Sequence, residues 1–138
     1  MPVSLDDGLT LEATVTVDRV GSPEPWGFGI GVDFEDRPVL LRSLQGKSPA
    51  VELPGLNAVP FEHGREGVYR MKLRIVRREG QPSMVQGKLW QGDREPDGWL
   101  LEAPVGLSGA GLRVAFETLR CGATFGNLRI RTFPADSE

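Results

Sequence analysis

Residues 68–91 read VYRMKLRIVRREGQPSMVQGKLWQ, and their alternation decides the fold. Tyr69, Met71, Leu73 and Ile75 alternate with Arg70, Lys72 and Arg74. A period of two is the strand period, because successive side chains leave opposite faces of a pleated backbone. Gly80 and Pro82 mark a turn, after which Val85 and Leu89 alternate with Gln86, Lys88 and Trp90. Pairing 68–78 with 83–91 as an antiparallel hairpin sets Ile75 opposite Val85, Leu73 opposite Gly87 and Met71 opposite Leu89. One face is then wholly apolar, and a slip by one residue would destroy it. The other face sets Arg70, Lys72 and Arg74 across from Trp90, Lys88 and Gln86, with Arg70 within cation–π reach of Trp90.

The same period runs outward in both directions. Leu9, Leu11, Ala13, Val15 and Val17 alternate with polar residues up to Asp18, and a turn is read at Gly21-Ser22-Pro23-Glu24-Pro25. Phe28, Ile30 and Val32 alternate with Gly27, Gly29 and Gly31. A tight turn at Glu35-Asp36-Arg37-Pro38 leads into a strand over 39–44, and a Gly/Pro/Ser-rich passage follows with one short strand over 50–53. After the hairpin, residues 92–98 form a polar loop and 99–103 a short strand. Leu112, Val114 and Phe116 alternate with Arg113, Ala115 and Glu117. The last strand covers about 123–132, and its apolar set shifts phase from Phe125 to Leu128 and Ile130, which predicts a bulge at Gly126-Asn127. Eight or nine strands with turns every 8–12 residues and no helical stripe predict a single all-β domain over 1–138, a two-sheet antiparallel jelly-roll sandwich.

Composition bounds the function. The 138 residues suffice for one domain with its own core. The net charge of −3 lacks the cationic excess that general nucleic-acid binding needs, and no stretch approaches the length of a membrane span. A single cysteine, Cys121, excludes an internal disulfide. Residues 1–8 carry Asp6 and Asp7 and no apolar run, so no secretory signal is read there. With residue 1 as the natural start, a cytoplasmic location is expected.

Three passages carry a resemblance. Tyr69-Arg70-Met71-Lys72-Leu73-Arg74-Ile75 resembles the strand opening the central hairpin of the concanavalin A-like lectin/glucanase superfamily, which includes the laminin-G-like jelly rolls. Gly87-Lys88-Leu89-Trp90 with Glu95-Pro96 and Trp99 is similar to that group's Lys-x-Trp strand and Glu-Pro-x-x-Trp loop. Gly109-Ala110-Gly111-Leu112 and the stretch Ala123-Thr124-Phe125-Gly126-Asn127-Leu128-Arg129-Ile130 resemble its closing strands. Together they span roughly half the chain, and none is an active-site motif, so the resemblance speaks to fold more than to function.

Catalytic patterns are sparse. A glycanase of this kind needs two carboxylates across a sugar ring, and the superfamily's Glu-x-Asp-x-x-Glu strand is absent. Asp33 and Glu35 are the nearest pair, at a strand end. His63 is the only histidine, with no Ser or Cys placed beside it by the sequence. Gly27-x-Gly29-x-Gly31 is no phosphate loop, since it opens no helix. Three glycines on one face instead leave a trough for something bulky: Trp26, Trp90 or a ligand. Asp93-x-Glu95-x-Asp97-Gly98 begins like a calcium loop, but Pro104 stands where a bidentate Glu is needed. No cofactor and no resident metal are expected. The expected function is a non-catalytic binding module taking a carbohydrate or other polar ligand on the face holding Trp90, Arg70, Lys72 and Lys88. The alternative is a structural or protein-interaction module of a larger assembly or multidomain protein.

Overall fold

The computed structural model describes residues 8–20, 25–34, 37–64, 67–78, 81–107 and 111–133. Residues 21–24, 35–36 and 80, where the sequence predicts turns, and Gly109-Ala110 lie outside them. Among the described residues there are ten strands: β1 (Gly8–Val20), β2 (Trp26–Phe34), β3 (Pro38–Gln45), β4 (Ala50–Leu53), β5 (Asn57–Pro60), β6 (Gly67–Val76), β7 (Ser83–Gln91), β8 (Leu101–Val105), β9 (Gly111–Leu119) and β10 (Cys121–Phe133). They form two five-stranded antiparallel sheets, in the orders β10-β1-β6-β7-β8 and β5-β4-β3-β2-β9. The domain is a two-sheet all-β sandwich.

The inward sets are those of the alternation. Leu9, Leu11, Val15, Met71, Leu73 and Ile75 of the first sheet face Phe28, Ile30, Leu41, Val51 and Leu53 of the second, all at most 1% exposed. Burial of each such side chain contributes about 1.5–3 kcal/mol. The β6–β7 hairpin has the expected register, with Arg70 opposite Trp90, Lys72 opposite Lys88 and Arg74 opposite Gln86. The β10 bulge is also present: Glu12 pairs with Arg129 and Thr14 with Gly126, so Asn127 and Leu128 together oppose Ala13. Asn127 takes a left-handed φ of 48° there, which Asn tolerates better than most residues. Two elements depart from expectation. The strand expected over 99–103 is displaced to 101–105, and β5, hidden in the Gly/Pro/Ser-rich passage, pairs with β4.

The glycine row of β2 answers to neither tryptophan. A Cβ at Gly27 would lie 2.1 Å from the Ser43 carbonyl oxygen, and one at Gly31 2.4 Å from that of Val39. The main chain of β3 is what comes close. Trp26 is buried in the core, and Trp90 belongs to the other sheet.

The two flanks of the sandwich differ. On one, β5 lies against β8 and Asn57 Nδ2 donates to the Glu102 carbonyl at 2.9 Å. On the other, β9 and β10 end their sheets. Inward-facing Phe116 meets Phe125 at 4.8 Å between ring centroids but stays 42% exposed.

Candidate functional site

Register builds the outer face of the first sheet in rows. One row runs Arg131, Thr10, Arg74, Gln86, Glu102 across β10, β1, β6, β7 and β8. The next runs Arg129, Glu12, Lys72, Lys88, and a third places Thr14, Arg70 and Trp90 side by side. The four residues singled out by the sequence, Arg70, Lys72, Lys88 and Trp90, therefore share one face as expected.

Their half of that face is not open. The segment 92–100 folds back over β6 and β7. Glu95 Oε2 lies 2.6 Å from Lys88 Nζ and 3.1 Å from Lys72 Nζ. Lys88 also donates to the Pro96 carbonyl at 2.7 Å, and Arg70 Nη2 donates to Asp93 Oδ1 at 3.2 Å. Lys88 Nζ sits 4.7 Å above the Trp99 ring and 5.8 Å from that of Trp90. Lys88, not Arg70, is thus the cation found at the Trp90 ring. Trp90 is only 6% exposed, and its Nε1 has no hydrogen-bond partner among the described residues. A covered ring and a buried ammonium cannot act as a platform for a sugar, which corrects the expected open surface at Trp90 and Lys88. The Asp93 and Glu95 carboxylates, which begin the calcium-like spacing of this loop, are paired with these cations. Burial alone would raise the Glu95 carboxyl, but hydrogen bonds from Lys88 and Lys72 outweigh it and hold the group below its ordinary range.

The other half of the face is a cleft of about 310 Å³ over β10, β1 and β6, lined by Thr10, Glu12, Lys72, Arg74, Glu95, Trp99, Arg129 and Arg131. Arg74 extends over the Phe133 ring, 5.1 Å from its centroid. Gly8 makes room for that ring, since a Cβ there would lie 2.3 Å from Phe133 Cε2. Arg74 lies over that ring, yet its Nε is buried without a hydrogen-bond partner among the described residues. Arg129 and Arg131 are exposed. Among the described residues, none of the three arginines forms an ion pair. Three guanidinium groups without counterions, one pre-positioned on an aromatic ring, make a receptor for carboxylate, phosphate or sulfate oxygens. Sequence alternation places Arg74, Arg129 and Arg131 outward. It gives no sign that they are the unpaired ones.

Two further polar clusters have other roles. On the outer face of the second sheet, Arg42 donates from Nε to Glu52 at 2.8 Å and from Nη1 to Glu117 at 3.4 Å. Both carboxylates are thus occupied by one shared arginine. Asp33 pairs with Arg113 at 3.3 Å, and its expected companion Glu35 lies outside the described residues. His63 has a partner that the sequence did not suggest: Ser43 Oγ, 2.6 Å from Nε2. With Nδ1–H donated to the Gly64 carbonyl at 2.7 Å, Nε2 accepts the serine proton. The pair has the composition of a nucleophile and base, but Ser43 is 0% exposed, so no substrate carbonyl reaches its oxygen. The signal was present in β3, whose inward row Val39, Leu41, Ser43, Gln45 turns polar at its end. Cys121 donates to the Gly27 carbonyl at 3.2 Å, and burial raises its thiol above the ordinary value, which disfavours a reactive thiolate. No protein-family model, curated protein or solved structure matches the chain.

Proposed function

We propose that this chain is a non-catalytic binding module, a jelly-roll sandwich of the concanavalin A-like kind, whose ligand is anionic and sits over β10, β1 and β6. The observation that carries the reading is the set of arginines without counterions: Arg74 held on Phe133 with an unsatisfied buried Nε, beside Arg129 and Arg131. An unsatisfied buried donor costs about 1–3 kcal/mol, which a ligand oxygen recovers on binding. Of the residues first singled out, Lys72 lines this cleft and Arg70 lies one row away, while Trp90 and Lys88 support it from beneath the 92–100 segment. Trp99, half-buried in the cleft wall, adds an aromatic surface of the kind a sugar ring uses.

The test is an NMR titration with pentaglutamate and, separately, with an uncharged oligosaccharide. Pentaglutamate is expected to shift the Nε–H resonances of Arg74, Arg129 and Arg131, with binding weakened by added salt. Silence at all three arginines overturns the reading. Shifts confined to the Trp99 indole with the uncharged sugar would replace it with a carbohydrate site.

A further inference from the structure

The same arginines lie beside a second unused feature, the free edge of β10. Resting on the reading of an anionic ligand, we infer that the ligand is an extended peptide segment in which acidic and apolar residues alternate, and that it adds to the first sheet as a strand alongside β10. Three observations converge on this.

The first is the edge itself. β10 is a strand of 13 residues bonded on one side to β1 and, among the described residues, to no strand on the other. Its outward main-chain donors and acceptors are a template for one more strand. The second is charge. Opposite this edge an added strand would place every second side chain on the outer face beside Arg129 and Arg131, which have no ion pair among the described residues. Cross-strand neighbours of opposite charge favour each other and like charges repel, so carboxylates are selected at those positions and a second copy of β10 is disfavoured. The third is the interior. Side chains between those carboxylates would point to the inner face, beside Ile130, which is only half-buried, and exposed Thr132. Apolar side chains there would close the open flank of the sandwich.

The edge of β9 lacks this combination. Its outward Arg113 and Glu117 are already paired with Asp33 and Arg42, so an incoming strand would find no free charge. The bulge at Asn127-Leu128 limits regular pairing to the runs on either side of it. Residues 129–133, which hold both arginines, are the run expected to dock.

The test uses the whole chain with two fluorescent octapeptides of equal composition. One alternates Glu and Val; the other has four Glu followed by four Val. The alternating peptide is expected to bind about tenfold tighter, a difference of about 1.4 kcal/mol, and to slow amide hydrogen exchange within residues 129–133. N-methylation of alternate peptide bonds should abolish both effects. Arg129→Glu with Arg131→Glu, both at exposed positions, should transfer the preference to an alternating Lys/Val peptide. Equal binding of the two Glu/Val peptides, or binding without amide protection, overturns strand addition. If pentaglutamate still binds in that case, the anionic site stands alone; if neither peptide nor pentaglutamate binds, both readings fall and the arginines merely guard an exposed edge.

Discussion

The outer face of the first sheet divides along β6. On the β7 side Arg70, Lys72 and Lys88 each meet a carboxylate delivered by the 92–100 segment. On the β10 side Arg74, Arg129 and Arg131 form no ion pair among the described residues, although Glu12 lines the same cleft. Both halves arise from the same outward alternation of basic residues on neighbouring strands. A single returning loop, with Glu95 between two lysines, turns one half into structure and leaves the other available. The lesson is that a basic sheet face becomes a site only where the chain does not supply its own anions.

The largest expected effect breaks the closed half. Among the described residues, Glu95→Gln removes the only carboxylate paired with Lys88, whose side chain is 5% exposed, and leaves that ammonium with the Pro96 carbonyl as its remaining oxygen partner. Losing one partner of a buried pair costs about 3 kcal/mol. Urea unfolding should show the loss, and tryptophan emission should move to the red as the segment lifts from Trp90. Arg129→Gln and Arg131→Gln, on the open half, should stay within about 0.5 kcal/mol of the parent. Equal losses in both halves would erase the distinction between clasp and site.

A smaller effect separates Arg74 from its two neighbours. Gly8→Ala places a methyl group where the Phe133 ring lies, so the ring must swing away and Arg74 loses its support. The side chain can move, so the expected cost is about 1 kcal/mol. Thermal unfolding measures that term, and a pentaglutamate titration should show weaker binding through lost positioning. Unchanged affinity would mean that Phe133 does not prepare the guanidinium.

The hairpin was legible in residues 68–91 because a slip of one residue would have buried Arg70 and exposed Leu73. The bulge was legible because the apolar phase breaks between Phe125 and Leu128. Outward positions carry no such penalty, so the sequence placed Trp90 and Lys88 on a face without revealing what covers them. That covering depends on where the 92–100 segment returns, which no local periodicity encodes. The same limit hid Ser43 from His63, since 20 residues and another strand separate them. It also concealed β5, whose edge position needs no alternating apolar set.

The smallest effect is a pH dependence in two steps, one outside the divided face and one within it. Burial lowers His63 below its ordinary value of 6.5, against the opposing hydrogen bond to the Gly64 carbonyl. The folded state therefore prefers neutral imidazole, with Nε2 accepting from Ser43. Above 6.5 that preference is fully expressed. As the pH falls below 6.5 the unfolded chain takes up the proton first, and the contribution declines until the folded value is passed. Glu95 behaves alike at lower pH. Its folded value is depressed below 4.5, so its contribution is full above that pH and is lost as the pH falls through the folded value. Stability measured by urea unfolding from pH 7.5 to 3 should thus decline in an upper and a lower step. His63→Gln should remove the upper step alone and Glu95→Gln the lower step alone. If His63→Gln instead left the upper step in place, the buried His63 imidazole would not be its source.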